Sequence, residues 1–129
     1  MNISIEESRE IAIFTAKVMD EKFAKDVMAI DISSISPHFD CFIIASGQSY
    51  TQLRALANYV NEAMEEKGLM RVNAKPTTGE NPWILMDYSS IVVHIFLEET
   101  RKFYNLEKLW HDGWVLFDNS HASSTSSDT

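Results

Sequence analysis

Apolar positions at the start of the chain recur with helical spacing: Ile11, Phe14 and Val18 fall on one face together with Thr15 and Lys22. Ser4 and Glu7 stand three apart just ahead of that run, the spacing of a capping box. In such a box the serine oxygen accepts from the Glu7 amide while the glutamate reaches back to the serine amide. Together these features predict a helix over 5–21. The period then changes. Residues 27–32 are apolar except for Asp31 and read as a buried strand. Residues 33–40 hold Pro37 and three serines and read as a loop. Cys41-Phe42-Ile43-Ile44-Ala45 is a short unbroken apolar run, which suits a central strand covered on both faces.

Ser46-Gly47-Gln48-Ser49 is expected to end that strand, and Ser49 with Gln52 repeats the capping-box spacing. Leu53, Leu56, Ala57, Val60 and Met64 line one face of the helix that follows, and Gly68 stands where a left-handed C-terminal cap belongs. Residues 69–74 read as a further strand and 76–82, with Pro76, Gly79 and Pro82, as a loop. Strands are expected over 83–88 and 91–97, split by Ser89-Ser90 at hairpin spacing, although Ser-Ser is poor chemistry for a primed two-residue turn. Residues 98–104 and 106–110 read as short helices with Phe103, Leu106 and Trp110 inward. From Asn119 the chain becomes a serine- and threonine-rich tail without apolar periodicity, expected to be disordered. The reading is therefore one domain over 1–118 and a tail over 119–129. No repeat appears at any period of 20 to 50 residues. This order of elements predicts an α/β (α+β) domain, a single mixed sheet packed by helices.

A length of 129 residues fits one domain. Such a domain buries roughly two thirds of the surface its unfolded chain exposes, so it needs neither a disulfide nor a metal to stay folded. Charge narrows the choice of partners. Eleven Lys and Arg against nineteen Asp and Glu leave a formal charge of -8. Nucleic-acid affinity comes largely from cations displacing counterions, so direct RNA or DNA binding is disfavoured and a basic protein is the better electrostatic match. Cys41 is the single cysteine, which rules out an internal disulfide and any multi-cysteine metal site. Glu6, Glu7 and Glu10 surround Arg9, unlike a secretory signal or a transit peptide. The strongly apolar stretch over 91–97 is broken by His94 and falls far short of the ~18 residues that span a bilayer. A soluble, cytoplasmic protein is expected.

The Ser46-to-Ser49 turn is the most enzyme-like feature, because a glycine before a helix N-terminus lets a phosphate reach free amides. A turn glycine and an ordinary cap explain the same residues, and neither a Walker lysine nor a second glycine follows. Nucleotidyl transfer would also need two carboxylates to hold metal ions, typically two apart on a neighbouring strand. Asp31, Asp40 and Asp87 each stand alone, and Ser89 occupies the position where a partner for Asp87 would fall. Cys41 and His94 would serve as nucleophile and base only if exposed, and both sit in apolar strands. His38, His111 and His121 share no metal-ligand spacing. The aromatic C-terminal half reads mainly as core. Trp83 differs: it follows a proline-flanked loop and opens a strand, so it is expected at the end of the sheet, partly exposed, as an anchor for a protein partner.

Four blocks of sequence resemble the ribosomal silencing factor family, the Iojap-like proteins. They are Asp31-Ile32-Ser33; 40–49 with Gln52; 83–88, Trp-Ile-Leu-Met-Asp-Tyr; and Val92-Val93-His94-Ile95-Phe96 continuing through 101–110. The likeness spans about residues 5–113. It implies a nucleotidyltransferase-like fold without catalysis, cofactor or metal. It further implies binding to the large ribosomal subunit through its protein fourteen (L14), which blocks the small subunit and lowers translation when nutrients are scarce; a homodimer is plausible. The partner-facing residues would be Trp83, Asp87 and Tyr88, with Glu98, Glu99 and Arg101 beside them. Ser89-Ser90 replace the Gly-Asp usual in the family after its Asp-Tyr, and Thr78-Gly79 replace its usual Glu-Gly. The competing readings are a nucleotide-binding or nucleotidyltransferase-like enzyme and a dimeric scaffold for some other basic partner.

Overall fold

A computed structural model of the protein describes residues 3–73, 80–101 and 112–119. The capping box forms in both directions, Glu7 N donating to Ser4 Oγ and Ser4 N to Glu7 Oε1, each at 3.0 Å. It starts α1 (Ile5–Glu21). The buried stripe of α1 is Ser8, Ile11, Ala12, Thr15, Ala16 and Met19. It is thus rotated from the expected one, with Phe14 and Val18 half-buried at its margin and Lys22 exposed. The small Ala12 and Ala16 let the helix lie close to the sheet, which a stripe centred on Phe14 would not. Next come β1 (Lys25–Asp31), β2 (Cys41–Gly47) and α2 (Tyr50–Glu66), capped by the Ser49 hydroxyl accepting from Gln52 N. Ser46 and Gly47 belong to β2, so the strand runs two residues further than expected. Gly68 follows α2 with φ +84, the left-handed conformation its position requires.

β3 (Trp83–Asp87), β4 (Ile91–Leu97), the short α3 (Glu98–Arg101) and β5 (Trp114–Asp118) complete the described elements. The five strands form one mixed sheet in the order β3-β4-β2-β1-β5. β2 and β4 run parallel and the remaining neighbours antiparallel. Two expectations change here. Residues 69–73 form no strand; instead Arg71, Val72 and Asn73 cover the outer edge of β3. Val72 N donates to Asp87 O at 2.8 Å, Asn73 Nδ2 to Leu85 O at 2.8 Å, and Asp87 N to Asn73 Oδ1 at 2.9 Å. Side-chain amides thus occupy edge groups that would otherwise invite a foreign strand. The fifth strand lies instead at 114–118, where no strand was expected. Asn119 carries the pairing on, with Val27 N donating to its Oδ1 at 2.6 Å. The expected helix over 106–110, the rest of the helix over 98–104, and residues 120–129 of the tail lie outside the described residues.

The sheet's two faces differ. α1 and α2 bury one face in a cluster that includes Cys41, Ile43, Ala45, Ile91, Val93 and Ile95. The other carries Met28, Ile30, Ile32, Ile44 and Phe96, with Phe39, Phe42 and Trp83 packed against them half-buried. Neither long helix contributes to this second cluster. It is the face on which Trp83 sits.

Candidate functional site

The β3–β4 hairpin positions the proposed partner-facing residues. Its register pairs Trp83 with Phe96, Leu85 with His94 and Asp87 with Val92. Strand alternation therefore places Trp83, Leu85 and Asp87 on the same face as Val92, His94 and Phe96. Trp83 stacks on Phe96 with ring centroids 4.9 Å apart and planes 28° apart. Its amide donates to Asn81 Oδ1 at 3.1 Å, which fixes how the chain enters the strand. The ring is half-buried, as its place at the start of a strand suggested. Leu85, 37% exposed, extends the apolar surface towards the turn.

Trp83 Nε1 donates to His94 Nδ1 at 3.1 Å. An indole nitrogen can only donate, so neutral His94 accepts at Nδ1 and carries its own proton on Nε2. That Nε2 is buried and meets no hydrogen-bond partner among the described residues. A buried donor left unpaired costs about 1–3 kcal/mol. Burial also pushes the imidazole pKa down to about 4, so the ring is neutral at physiological pH. Weighed from sequence only as a base for Cys41, His94 instead partners Trp83. Counting outward from Ser89-Ser90 pairs Trp83 with Phe96 and so sets it diagonally beside His94, a signal present in the sequence.

The other expected residues divide. Asp87 Oδ1 accepts from Ser89 N at 2.8 Å and so braces the turn, where Ser89 takes φ +73. Tyr88 does not share the Trp83 face. It is 2% exposed within the helix-covered core, and its hydroxyl donates to Asn61 Oδ1 on α2 at 2.9 Å. Burial pushes that phenol up to about 12. The expectation that Tyr88 meets a partner directly is corrected: its position puts it behind the surface, joining β3 to α2. Glu98 and Glu99 begin α3 directly after β4, at the Trp83 end of the hairpin. Asp87 lies four strand residues away, about 13 Å. Arg101 Nη1 donates to Ser46 Oγ at 2.8 Å and to Asp26 O at 2.7 Å, tying α3 to the ends of β1 and β2.

Two amides at the enzyme-like turn are satisfied from within the chain. Gln48 N donates to Gln52 Oε1 at 2.7 Å, and Gln52 N to Ser49 Oγ at 3.0 Å. A Cβ on Gly47 would come 2.7 Å from Leu53 Cδ1, so packing alone accounts for the glycine. The three lone carboxylates lie at the far end of the sheet. Asp31 pairs with Cys41 at the start of β2, Asp40 precedes it, and Asp87 pairs with Val92 near the start of β4. Gly47 ends β2, roughly 20 Å away along the strand. All three carboxylates have structural partners: Arg9 Nε donates to Asp31 Oδ2 at 2.6 Å and Ser8 Oγ to Asp40 Oδ2 at 2.7 Å, and Asp87 holds the Ser89 amide. Burial pushes the Asp31 carboxyl up, but the Ser33 hydroxyl and amide together with Arg9 outweigh it and hold it below its usual range. Cys41 and His94 face opposite sides of the sheet, and burial pushes the thiol up to about 12. Among the described residues, no group of three or more His, Cys, Asp or Glu could hold a metal ion, and no helix is long and apolar enough to cross a membrane.

Residues 5–129 match the family model described as "Ribosomal silencing factor during starvation". The ribosomal silencing factor of Bacillus subtilis is 36% identical over 104 residues, covering 81% of this chain and 87% of its own length. A mouse relative, named "Mitochondrial assembly of ribosomal large subunit protein 1", is 29% identical over 98 residues, covering 72% of this chain and 42% of its own length. A crystal structure of a Chromobacterium violaceum protein superposes with a TM-score of 0.71 at 32% identity, covering 84% of this chain and 88% of that one.

Proposed function

This chain belongs to the ribosomal silencing factor family, and we propose that it silences by steric exclusion. It docks on the large ribosomal subunit through protein L14 and occupies space the small subunit needs, so that translation falls under nutrient limitation. The observation that carries this reading is the half-exposed Trp83, fixed on an aromatic base of Phe96 and His94 on the sheet face that α1 and α2 leave alone. Rigid aromatic anchors of this kind concentrate binding energy. The mouse relative's name, which speaks of the ribosomal large subunit, supports the choice of subunit. A charge of -8 favours a basic protein over bare RNA, and Glu98 and Glu99 stand at the Trp83 end of the hairpin to meet it. No reaction is needed, only affinity and bulk. A cytoplasmic location and a homodimer in the free state complete the reading.

Co-sedimentation of the purified protein with separated subunits tests it. The protein should pellet with large subunits and not with small ones, and should reduce their joining in a saturable manner. Equal pelleting with both, or unchanged joining at saturation, would overturn it.

A further inference from the structure

β4 is apolar from Ile91 to Phe96 except at His94, which is 6% exposed and packed among rings. Phe42 meets it edge to face at 4.9 Å, and Phe96 lies parallel at 6.2 Å. A position so enclosed would ordinarily hold a leucine or phenylalanine, which would leave no donor stranded. His94 leaves its Nε2 proton without a partner. What it offers in return is Nδ1, an acceptor 3.1 Å from the indole nitrogen of Trp83. An acceptor held at the cost of an unpaired donor points to a role beyond folding.

We propose that His94 is the positioning residue of the partner-binding surface: its Nδ1 locks the Trp83 indole in one orientation on Phe96, so the anchor meets its partner already ordered. The proposal rests on Trp83 being an anchor, as read above. Stacking on Phe96 sets the plane of the indole, which can present its ring in two orientations related by a half-turn. The hydrogen bond to His94 selects one of the two orientations and thereby decides which ring edge faces outward. Ordering before contact removes a cost that binding would otherwise bear. Because the stranded Nε2 proton serves no hydrogen bond among the described residues, the locking role and the folding role respond oppositely to substitution.

The experiment compares His94→Leu, His94→Asn and Trp83→Phe in the full chain. His94→Leu removes the acceptor together with the stranded donor. It should melt no earlier than the parent, while binding large subunits about tenfold more weakly. His94→Asn places its Oδ1 where Nδ1 stood and should restore most of that loss. Trp83→Phe removes the same bond from the other side, so adding His94→Leu to it should weaken binding no further. In the free protein, the Trp83 indole proton should exchange slowly with solvent in the parent and His94→Asn, and rapidly in His94→Leu. A His94→Leu protein that melts several degrees early and binds as well as the parent would overturn the proposal, leaving His94 a packing residue. So would a Trp83→Phe protein that binds normally while Trp83→Ala does not, because the anchor would then work without the lock. If Trp83→Ala also binds normally, the surface itself is wrong and the positioning role falls with it.

Discussion

Truncating Trp83 to alanine separates the two duties proposed for it. In the free protein the ring stacks on Phe96, bonds to His94 and shields part of the second apolar cluster. Removing a fully buried aromatic costs about 3–5 kcal/mol of stability. Trp83 is only half-buried, so a smaller loss of about 2 kcal/mol is expected, of which the aromatic stack supplies ~1 kcal/mol and the hydrogen bond a similar amount. For a domain of this size that corresponds to a fall of roughly 6–10 °C in melting temperature. Binding should lose about a further 2 kcal/mol, or roughly 30-fold in Kd, because a desolvated aromatic anchor is missing from the complex.

The two losses are measured apart. Thermal melting gives the first. Pelleting with large subunits gives the second, at a temperature well below both midpoints, where parent and variant are wholly folded. An affinity within threefold of the parent, alongside the expected drop in melting temperature, would show that Trp83 is core and nothing more, and the proposed surface would be abandoned.

Replacing Glu98 and Glu99 by glutamine should slow association with large subunits and flatten its salt dependence, with dissociation little changed, because rim charges act mainly on encounter; stopped-flow kinetics at two ionic strengths checks this. His94 is held at a pKa of about 4, below its unfolded value near 6.5, so the unfolded chain binds more protons between those limits. Stability should therefore rise by about 3 kcal/mol from pH 4 to pH 6.5 and stay level above it with respect to this group; denaturant titrations of His94→Leu should lose that slope. Ser89→Gly should gain roughly 0.5–1 kcal/mol in chemical denaturation, since Ser89 holds φ +73, which glycine adopts without strain. With magnesium or manganese and any nucleoside triphosphate, no nucleotidyl transfer should occur; pyrophosphate release that disappears in Asp87→Ala would refute the separation of carboxylates from the turn.

Elements with their own local signal were legible in the sequence. α1 carried a complete capping box, α2 an N-cap serine and a C-terminal glycine, and β4 an unmistakable apolar run. What local pattern could not supply was competition for edges. Residues 69–73 look extended, and they do lie beside β3, but they bond to it partly through the side chains of Arg71 and Asn73 in place of a ladder. Trp114-Val115-Leu116-Phe117 has the aromatic and β-branched make-up of a strand, but β5 pairs with β1, more than 80 positions earlier, so its place in the sheet could not be read locally. At the site, exposure of Trp83 could be argued from its place after a loop. Tyr88 could not be separated from it, because the chain leaves the strand at Asp87 and the face on which the next side chain lies depends on how the turn is built. His94 was readable from hairpin register, but only once it was considered as a partner to Trp83.

On the proposed reading, a factor that works by occupying space competes with a large, multivalent partner, so the order of its surface before contact matters as much as its area. Each mobile side chain that must be immobilised on docking costs about 0.5–1.5 kcal/mol, up to tenfold in affinity. Here the costs are met within the fold. β3 is held on one side by β4 and on the other by Arg71, Val72 and Asn73, and Asp87 braces the turn between the two strands. Tyr88 fastens the end of β3 to α2 from the opposite face. Within that frame, Phe96 stacks on the indole and His94 accepts from its nitrogen. On that reading a half-buried tryptophan, and not a fully exposed one, suits the proposed role: the buried half fixes the ring, and the exposed half is what remains to bind.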